Sequence, residues 1–436
     1  MRAVIMAGGK GTRLASLTKN EIPKGLYPVA GRPILEWQLI RLKRYGIMDA
    51  TLVVGELGEC IKKYFGDGTS LGMNISYITE TEPLGTAGSL YYLKETEPFI
   101  FIMGDIFFDF DIKKMIGFHK EKAAFVTLLA HPNMHPYDSD LVVTDKDDRV
   151  LRFDSKHNVR DYWYDNLVNS GIFIMDPGIC RYVKEPKKMS LEKDLLAGLM
   201  ETEPVYAYRS PEFIRDVGTP DRVEVTEREY AAGIVAAKNL ENRQKAVFID
   251  RDGTINKYKG FLTEPEELEL EENAAEAIRL INRSGYLAIV VTNQPVIARG
   301  ECTVEKLDEI HRKMKTLLGR EGAYVDDIFY CPHHPDKGFE GEVPELKIGC
   351  SCRKPGTGMI EAASQKYNID IAESWVIGDG TIDIALGKNA GCGTILVKTG
   401  AAGEDKKYDV TPDHIDEDLL AAVRRITEKC GQKEDL

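Results

Sequence analysis

The sequence predicts two α/β domains in one chain, each doubly wound around a mostly parallel sheet. In both halves of the chain, short runs rich in β-branched residues alternate with helical patterns. Between the two series, a helical stretch follows Asp216–Pro220 and ends near Asn239–Gln244; it is polar and carries no strand pattern. This stretch is the predicted junction, and the predicted domains span residues 1–238 and 245–430.

The first half shows the rhythm of strands and helices expected for such a sheet. Helices are predicted at Ile34–Tyr45 and Ala87–Lys94. The predicted strands are Ala3–Met6, Thr51–Val54, Ile75–Thr79, Phe99–Met103, Phe125–Ala130 and Gly171–Met175.

The second half repeats the alternation. Helical patterns at Ala274–Arg283, Val304–Leu318 and Gly358–Tyr367 separate its strands. The predicted strands are Ala246–Ile249, Leu287–Val291, Asp327–Tyr330, Trp375–Ile377 and Thr394–Val397.

Composition limits the classes of partner. The chain has 436 residues, 43% of them hydrophobic and 29% charged, which is enough to build two or three packed cores. A formal charge of −13 argues against a general nucleic-acid or anionic-membrane partner. The sequence lacks an apolar run of the ~18 residues that would span a bilayer, and Met1–Ala7 does not resemble a signal peptide. We expect a cytoplasmic protein with small-molecule partners; an oligomer is compatible with this.

A glycine-rich segment follows the first predicted strand. Gly8, Gly9 and Gly11, with Thr12, would let backbone N–H groups approach a phosphate at the carboxyl edge of the sheet. The segment has neither the P-loop ending nor the dinucleotide-binding spacing. Further blocks follow it in order: Ile22–Lys24, Gly31–Glu36, Glu82–Gly88, Gly104–Asp105, Asn169–Gly171 and Asp216–Pro220.

These ordered blocks resemble the sugar nucleotidyltransferase family, which joins a nucleoside triphosphate to a sugar 1-phosphate and releases pyrophosphate. The resemblance spans the whole first half and implies a Rossmann-like mixed sheet. It places Arg13 on the triphosphate tail, Lys24 near the reacting phosphates, and Mg²⁺ on Asp105 and Asp216. It also places Gly85 on the base. Asn169 and Lys156 are expected to contact substrate, although Ser155–Lys156 stands where the family often has Glu-Lys.

Paired carboxylates open the second half. The predicted strand Ala246–Ile249 leads into Asp250, and Asp252 follows two residues later. Phosphoryl transfer to a carboxylate needs a metal ion to quench charge repulsion, and it needs a second carboxyl group to protonate the leaving alkoxide. Further motifs lie behind apolar runs or near them: Thr292–Asn293, Arg353–Pro355 and Gly378–Asp379.

This second set of motifs resembles the haloacid dehalogenase superfamily. The resemblance implies that Asp250 forms an aspartyl-phosphate and that Asp252 acts first as acid and then as base. It implies that Thr292, Asn293 and Lys354 hold the phosphoryl oxygens. The expected Mg²⁺ ligands are Asp250, Asp252 and Asp379, with Asp383 as a weaker candidate.

A cysteine-rich loop lies between these motifs. Cys331 and His333, and likewise Cys350 and Cys352, are two residues apart, so each pair points the same way on an extended segment. Two such pairs predict a closed, structural Zn²⁺ site with one His and three Cys ligands. By the same parity His334 should point away from the ion.

This loop, together with Asp250–Asn256 and Arg353–Pro355, resembles the phosphatases that remove the 7-phosphate of heptose 1,7-bisphosphate; histidinol-phosphate phosphatases share much of it. The stretch Asn293–Gly300 departs from the usual Gln-Ser-Gly turn, with Pro295 and Val296 in that turn. Arg299 and Arg353 offer cations for a remote phosphate.

The two activities predicted for the halves fit one pathway. Removal of a 7-phosphate leaves a sugar 1-phosphate, which a nucleotidyltransferase consumes; the resemblance favours heptose phosphates as sugars and GTP as the nucleotide. One alternative joins a mannose- or glucose-1-phosphate nucleotidyltransferase to a histidinol-phosphate-type phosphatase. Another makes the first half a non-catalytic nucleotide-sugar sensor, against which Arg13, Lys24, Asp105 and Asp216 argue.

Overall fold

The chain divides into two compact units. The computed structural model describes residues 1–9, 18 and 22–431. Unit 1 comprises Met1–His131, Ser139–His157 and Leu167–Asn239. Unit 2 comprises the chain from Leu240 onward together with two short earlier segments, Pro132–Asp138 and Asn158–Asn166.

Unit 1 is built on a mixed nine-stranded sheet. The strands of unit 1 are β1 (Ala3–Met6), β2 (Pro28–Val29), β3 (Arg32–Pro33), β4 (Asp49–Val54), β5 (Asn74–Thr79), β6 (Phe99–Met103), β7 (Ile106–Asp109), β8 (Val126–His131), β9 (Leu141–Thr144), β10 (Val150–Asp154), β11 (Val168–Met175), β12 (Val205–Arg209) and β13 (Phe213–Asp216). Parallel pairs join β1 to β4 and β6, β4 to β5, and β8 to β12, whereas β11 runs antiparallel to β6 and β8. The main path through the sheet runs β10-β9-β11-β6-β1-β4-β5.

Two helices of unit 1 begin at recognisable start signals. The α-helices are α1 (Ile34–Arg44), α2 (Gly58–Phe65), α3 (Ile112–Glu121), α4 (Ala197–Leu199), α5 (Pro220–Ala231) and α6 (Ile234–Ala237). α3 starts after Asp111, whose carboxylate accepts hydrogen bonds from the backbone N–H groups of Lys113 and Lys114. α5 starts at Pro220, a residue suited to the first helical position.

One predicted helix of unit 1 is wrong. Residues 87–94 form only a 3-10 helix over Gly88–Tyr92. The backbone N–H of Ala87 donates to the carbonyl of Met189 at 3.0 Å, and a Cβ on Gly88 would collide with the carbonyl of Lys187. Long-range packing against residues 187–189 therefore determines the conformation here, and the local helical pattern does not.

Unit 2 contains a six-stranded, entirely parallel sheet in the order β16-β15-β14-β17-β18-β19. Ala246–Ile249 in β14 is buried on both faces, as expected for a central parallel strand covered by helices. The strands of unit 2 are β14 (Lys245–Ile249), β15 (Tyr286–Asn293), β16 (Asp327–Cys331), β17 (Trp375–Gly378), β18 (Gly393–Val397) and β19 (His414–Asp416). The α-helices of unit 2 are α7 (Ala274–Asn282), α8 (Val304–Arg320), α9 (Gly358–Tyr367), α10 (Thr381–Ala390) and α11 (Leu419–Gly431).

The predicted α/β fold class is confirmed in both units. Parallel neighbours bring their carboxyl ends to one edge of a sheet, where ligands bind in open α/β folds. β14, β15 and β17 end there at Ile249, Asn293 and Gly378, next to the predicted site residues. In the parts of the chain that the structure describes, each helix is too short or too polar to cross a membrane.

Candidate active sites

The first site lies at the carboxyl edge of the sheet in unit 1. Gly104 follows β6, and its backbone N–H donates to the carbonyl of Met6 at the end of β1. β13 pairs with β7 so that Asp216 lies opposite Ile106, and the backbone N–H of Val217 donates to the carbonyl of Asp105 at 3.0 Å. This antiparallel pair therefore brings Asp105 and Asp216 together from positions 111 residues apart in the sequence.

A single lysine binds both of these aspartates. Lys24 Nζ donates to Asp105 Oδ2 at 2.5 Å and lies 3.7 Å from Asp216 Oδ1. Arg222 Nη1, from α5, donates to Asp216 Oδ2 at 2.7 Å. One or two carboxylates completed by substrate phosphates are a typical donor set for Mg²⁺. The side chains of Asp105 and Asp216 are about a quarter exposed, so the pair fits that ion.

Glu80 lies beside the glycine-rich segment at the end of β5. Its Oε2 atom is 3.0 Å from the position that a Cβ on Gly8 would occupy, and its Oε1 is buried without a hydrogen-bond partner among the described residues. Burial raises the pKa of this carboxyl group. Gly85, five residues later, has a φ of +74° and packs against the carbonyl of Met189, so a side chain would be excluded there. A carboxylate is therefore available close to the start of the glycine-rich segment.

Other residues predicted for this site have varied positions. Asn169 Nδ2 donates to Glu192 Oε1 at 3.0 Å, and its Oδ1 accepts from the N–H of Gly171. Lys156 is exposed, and its backbone N–H donates to Asp140. A Cβ on Gly9 would meet no atom of the described residues within 4 Å. Gly11, Thr12 and Arg13 lie outside the described residues.

The second site lies at the carboxyl edge of the sheet in unit 2 and is centred on Lys354. The lysine Nζ donates to Asp250 Oδ1 at 2.6 Å, to Asp383 Oδ1 at 2.6 Å and to the carbonyl of Val291 at 3.0 Å. The side chains of Lys354 and Asp383 are only 3% and 2% exposed. Because the lysine is buried between two carboxylates, their attraction outweighs its desolvation, and its pKa lies above the usual range.

Asp250, Asp379 and Asp383 could hold a cation together. An oxygen of each lies within 4.8 Å of the others, and all three residues are buried. Burial raises the pKa of Asp250 well above its usual value, and the neighbouring carboxylates raise it further while Lys354 lowers it. Burial and the charge of Asp383 raise the pKa of Asp379 to about 7. Three buried oxygen donors that are costly to ionise together fit Mg²⁺, which prefers such ligands.

The Asp252 carboxylate is not part of this group. Arg251 Nη2 donates to its two oxygens at 2.9 and 2.8 Å, Asn256 Nδ2 donates to Oδ1 at 3.0 Å, and Gln294 Nε2 donates to Oδ2 at 2.9 Å. Among the described acidic side chains, Asp383, the weaker candidate in the sequence, groups with Asp250 and Asp379, and the metal-ligand role expected for Asp252 stays a prediction.

Thr292 and Asn293 sit at the end of β15. Thr292 is buried, and its Oγ1 accepts from Gln294 Nε2 at 2.8 Å. The Asn293 side chain makes two hydrogen bonds with the backbone of Lys354. Its Oδ1 accepts from the backbone N–H at 3.0 Å, and its Nδ2 donates to the backbone carbonyl at 3.4 Å. The loop that carries Lys354 is therefore fixed to the end of the neighbouring strand.

Cys331, His333, Cys350 and Cys352 come together as a second candidate metal centre. The Sγ atoms of Cys331, Cys350 and Cys352 are 3.2 to 3.5 Å apart, and His333 Nδ1 lies 3.3 Å from Cys352 Sγ. A tetrahedron built on Zn–S bonds of about 2.3 Å has edges of about 3.8 Å. The donor types and spacing therefore fit a closed zinc centre.

His334 is outside this centre and belongs to a cluster of cationic and aromatic side chains. Its Nε2 lies 3.2 Å from Arg299 Nη2. The Arg299 guanidinium lies between the rings of Phe261 and Phe339, at 4.3 and 4.6 Å from their centroids. Arg353 Nη1 donates to the carbonyl of His333 at 3.1 Å, which links this cluster to the zinc-type centre.

Comparison with known proteins identifies the two halves. Residues 2–232 match the nucleotidyl transferase family, and residues 351–422 match the HAD-hydrolase-like family. A D-glycero-alpha-D-manno-heptose-1,7-bisphosphate 7-phosphatase from Photorhabdus laumondii is 42% identical over 160 residues, which are 36% of this chain and 85% of that protein.

The chain belongs to the nucleotidyl transferase family and, in its second half, to the heptose-bisphosphate phosphatases. It thus combines a nucleotidyltransferase with a phosphatase.

Two solved structures are similar to one half each. The D,D-heptose 1,7-bisphosphate phosphatase from B. bronchiseptica, complexed with magnesium and phosphate, is 31% identical and covers 43% of this chain and 99% of its own, with a TM-score of 0.38. HddC from Yersinia pseudotuberculosis, complexed with GMP-PN, is 25% identical and covers 52% of this chain and 99% of its own, with a TM-score of 0.46.

Sequence reasoning missed several polar residues around the two sites. Glu80 and Arg222 in the transferase half, and His311 in the phosphatase half, belong to no motif block used for the predictions. Gln294 lies within the stretch Asn293–Gly300, but no role was predicted for it. Gln294 follows Thr292–Asn293 directly, so its place after a buried strand was an available signal. Arg222 and His311 lie on helices, and only the folded chain brings them to Asp216 and to Arg251.

Proposed function

We propose that this chain carries out two consecutive steps of GDP-heptose formation. The phosphatase half removes the 7-phosphate of D-glycero-D-manno-heptose 1,7-bisphosphate, and the transferase half joins the resulting heptose 1-phosphate to GMP from GTP. The observation that carries the proposal is the pair of carboxylate centres, one built on Asp250 and Lys354 and the other on Asp105, Asp216 and Lys24. Since these substrates are nucleotides and sugar phosphates, we also place the enzyme in the cytoplasm.

In the phosphatase half, Asp250 is the nucleophile that takes the phosphoryl group. Lys354 holds its carboxylate in place and faces the charge that develops on the phosphoryl oxygens. Thr292 and the loop tied by Asn293 would bind those oxygens. Asp252 gives a proton to the leaving sugar hydroxyl and later removes one from the water that cleaves the aspartyl-phosphate.

In the transferase half, the sugar phosphate attacks the α-phosphorus directly, so positioning and charge stabilisation supply the catalysis. Lys24 would place its ammonium group beside the reacting phosphates, and Arg13 would bind the triphosphate tail. At both centres Mg²⁺, when bound, supplies positive charge that offsets the repulsion between carboxylates and phosphates. Asp105 and Asp216 would hold it in one half, and Asp250 with Asp379 and Asp383 in the other.

Glu80 supports guanine as the base. A carboxylate offers two acceptor oxygens and no donor, which suits the two adjacent N–H donors on the Watson–Crick edge of guanine. Adenine, cytosine and uracil do not present two adjacent N–H donors on that edge, so one carboxylate oxygen would face a ring-nitrogen or carbonyl acceptor and be repelled. Glu80 lies beside Gly8, and the base-contacting loop proposed at Gly85 follows five residues later.

Arg299 and Arg353 support a substrate with a second phosphate. Arg299 contacts His334, and Arg353 donates to the carbonyl of His333, so both lie against the zinc-type centre, in which Zn²⁺ would serve a structural role. A guanidinium fork is suited to bind a phosphate that does not react. This is the feature expected of a bisphosphate substrate and not of a simple monoester.

The test uses the full chain and two separate readouts. Phosphate release is measured with heptose 1,7-bisphosphate, histidinol phosphate and fructose 1,6-bisphosphate, and pyrophosphate release with heptose, mannose or glucose 1-phosphate and each of GTP, ATP, CTP and UTP. We expect the heptose substrates and GTP to give the highest kcat/KM, and Glu80→Gln to reduce the preference for GTP. Preference for histidinol phosphate or for a hexose 1-phosphate would support the alternative fusion. Absence of pyrophosphate release with every pair would support a sensor role for the first half.

A further inference from the structure

Arg251, between the two catalytic aspartates in the sequence, is fully buried. Its side chain has 0% exposure. A buried guanidinium is costly unless its N–H groups find acceptors. Nε and Nη2 donate to Asp252, Nη2 also donates to Gln294 Oε1 at 3.1 Å, and Nη1 lies 3.2 Å from His311 Nε2. The guanidinium is therefore held from three sides.

The Asp252 carboxylate accepts five hydrogen bonds, and its side chain is still 18% exposed. Oδ1 accepts from Arg251 Nε at 3.1 Å, from Arg251 Nη2 at 2.9 Å and from Asn256 Nδ2 at 3.0 Å. Oδ2 accepts from Arg251 Nη2 at 2.8 Å and from Gln294 Nε2 at 2.9 Å. A carboxylate with so many fixed donors has one defined orientation, whereas a free aspartate side chain samples several rotamers.

His311, on α8, is the hydrogen-bond partner of Arg251 Nη1. An arginine N–H can only donate, so His311 Nε2 must accept, and the ring must be neutral with its proton on Nδ1. Burial, and next the charge of Arg251, lower the pKa of this histidine well below its usual value, which agrees with the neutral form. The ring also packs against Tyr330, with centroids 5.7 Å apart.

We propose that Arg251, oriented by His311 and Gln294, is a positioning residue that fixes the Asp252 carboxylate for proton transfer with the leaving-group oxygen. Arg251 does not contact the substrate in this proposal; it acts through Asp252. The inference rests on the proposed phosphatase function but not on the identity of the sugar.

The test compares two leaving groups. The steady-state kcat/KM reports the steps up to formation of the aspartyl-phosphate, and proton donation matters for an alkoxide leaving group but hardly for 4-nitrophenolate. The full chain is assayed with Mg²⁺ on β-glycerophosphate and on 4-nitrophenyl phosphate. We expect His311→Leu and Gln294→Met to lower kcat/KM on the alkyl ester by about tenfold to a hundredfold, and by less than about threefold on the aryl ester.

Matched variants separate positioning from damage to the fold. His311→Gln keeps an acceptor and should recover most of the alkyl-ester activity, and pyrophosphate release by the transferase half should be unchanged throughout. In the Asp252→Asn background, His311→Leu should cause no further loss, because the group it positions is already disabled. Arg251→Met should give the largest split between the two esters. If it fails to fold, the His311 and Gln294 variants still decide the matter.

Equal losses on both esters, or additive effects of His311→Leu and Asp252→Asn, would overturn the proposal. If the wild-type chain hydrolyses 4-nitrophenyl phosphate but not heptose 1,7-bisphosphate, the sugar assignment fails and the positioning role is still tested by the ester comparison. If it hydrolyses none of these esters, both the phosphatase function and the positioning role are wrong.

Discussion

Replacement of Lys354 by methionine tests the centre of the phosphatase half. The substitution keeps most of the side-chain volume and removes the ammonium group that donates to Asp250 and Asp383, each at 2.6 Å. All three side chains are almost completely buried, so solvent cannot replace the lost charge. Removal of one partner from a buried ion pair costs about 3–5 kcal/mol. We expect a loss of stability of that size in metal-free protein.

The same change should slow catalysis. A fixed cationic donor aimed at developing phosphoryl charge contributes about 2.7–4 kcal/mol to the transition state, or roughly 10²–10³ in kcat. The assay is phosphate release by the full chain at saturating Mg²⁺, together with the thermal unfolding midpoint in EDTA and in Mg²⁺. Because a bound cation partly replaces the missing charge, Mg²⁺ should raise the midpoint of Lys354→Met by more than that of the wild type.

Two controls test whether the effect is specific to Lys354 and to the phosphatase half. Lys398→Met removes a half-exposed lysine paired with Glu417 and should change neither quantity by more than a few tenths of a kcal/mol. Pyrophosphate release by the same polypeptide should be unchanged. A phosphatase kcat within about threefold of wild type, or an unaltered midpoint in EDTA, would refute the assignment of Lys354.

Three other predictions follow from the same contacts. Burial and the charge of Asp383 raise the pKa of Asp379 to about 7, so the native state binds a proton more tightly than the unfolded state. The stability of the metal-free protein should therefore fall as the pH rises from about 4 to about 7, by a few kcal/mol at about 1.4 kcal/mol per pH unit. A free energy of unfolding in EDTA that stays constant over that range would contradict this. Cys350→Ser should lose bound zinc by elemental analysis and lower the unfolding midpoint, whereas Cys60→Ser, at an isolated exposed cysteine, should retain both; unchanged zinc content in Cys350→Ser would count against the centre. Lys24→Met should lower pyrophosphate release by about 10²-fold or more while phosphate release stays constant, and parallel loss of both would indicate a damaged fold instead.

The sequence could predict the strands that carry the sites because their signal is local. Ala3–Met6 and Phe99–Met103 are continuous apolar runs, and their bounds agree with β1 and β6. β9 is only four residues long, and β10 carries Arg152 and Asp154 among its apolar residues, so these strands did not stand out. The failed helix at Ala87–Lys94 shows the converse, since contacts with residues 187–189 override its pattern.

Side-chain partners were harder to predict than motif positions. Cys331, His333, Cys350 and Cys352 come together as the spacing predicted. Cys331 ends β16, whereas Cys350 and Cys352 lie in a bent loop. The network around Arg251 was missed because His311 approaches from a helix 60 residues away in the sequence. Asp383 was only a weaker candidate, although it lies four residues after Asp379, in the first turn of α10. The lysine that binds it comes from a different loop.

Phosphorus NMR of the full chain with heptose 1,7-bisphosphate, GTP and Mg²⁺ tests the central claim, that one chain holds two separate phosphoryl-chemistry centres acting in sequence. For the wild type, we predict loss of the 7-phosphate signal with release of inorganic phosphate, followed by a nucleoside-diphosphate linkage and pyrophosphate. Asp250→Asn should leave the 7-phosphate intact, and Asp105→Asn should stop the reaction at heptose 1-phosphate. Persistence of the 7-phosphate in the wild type, or its normal loss in Asp250→Asn, would contradict the account.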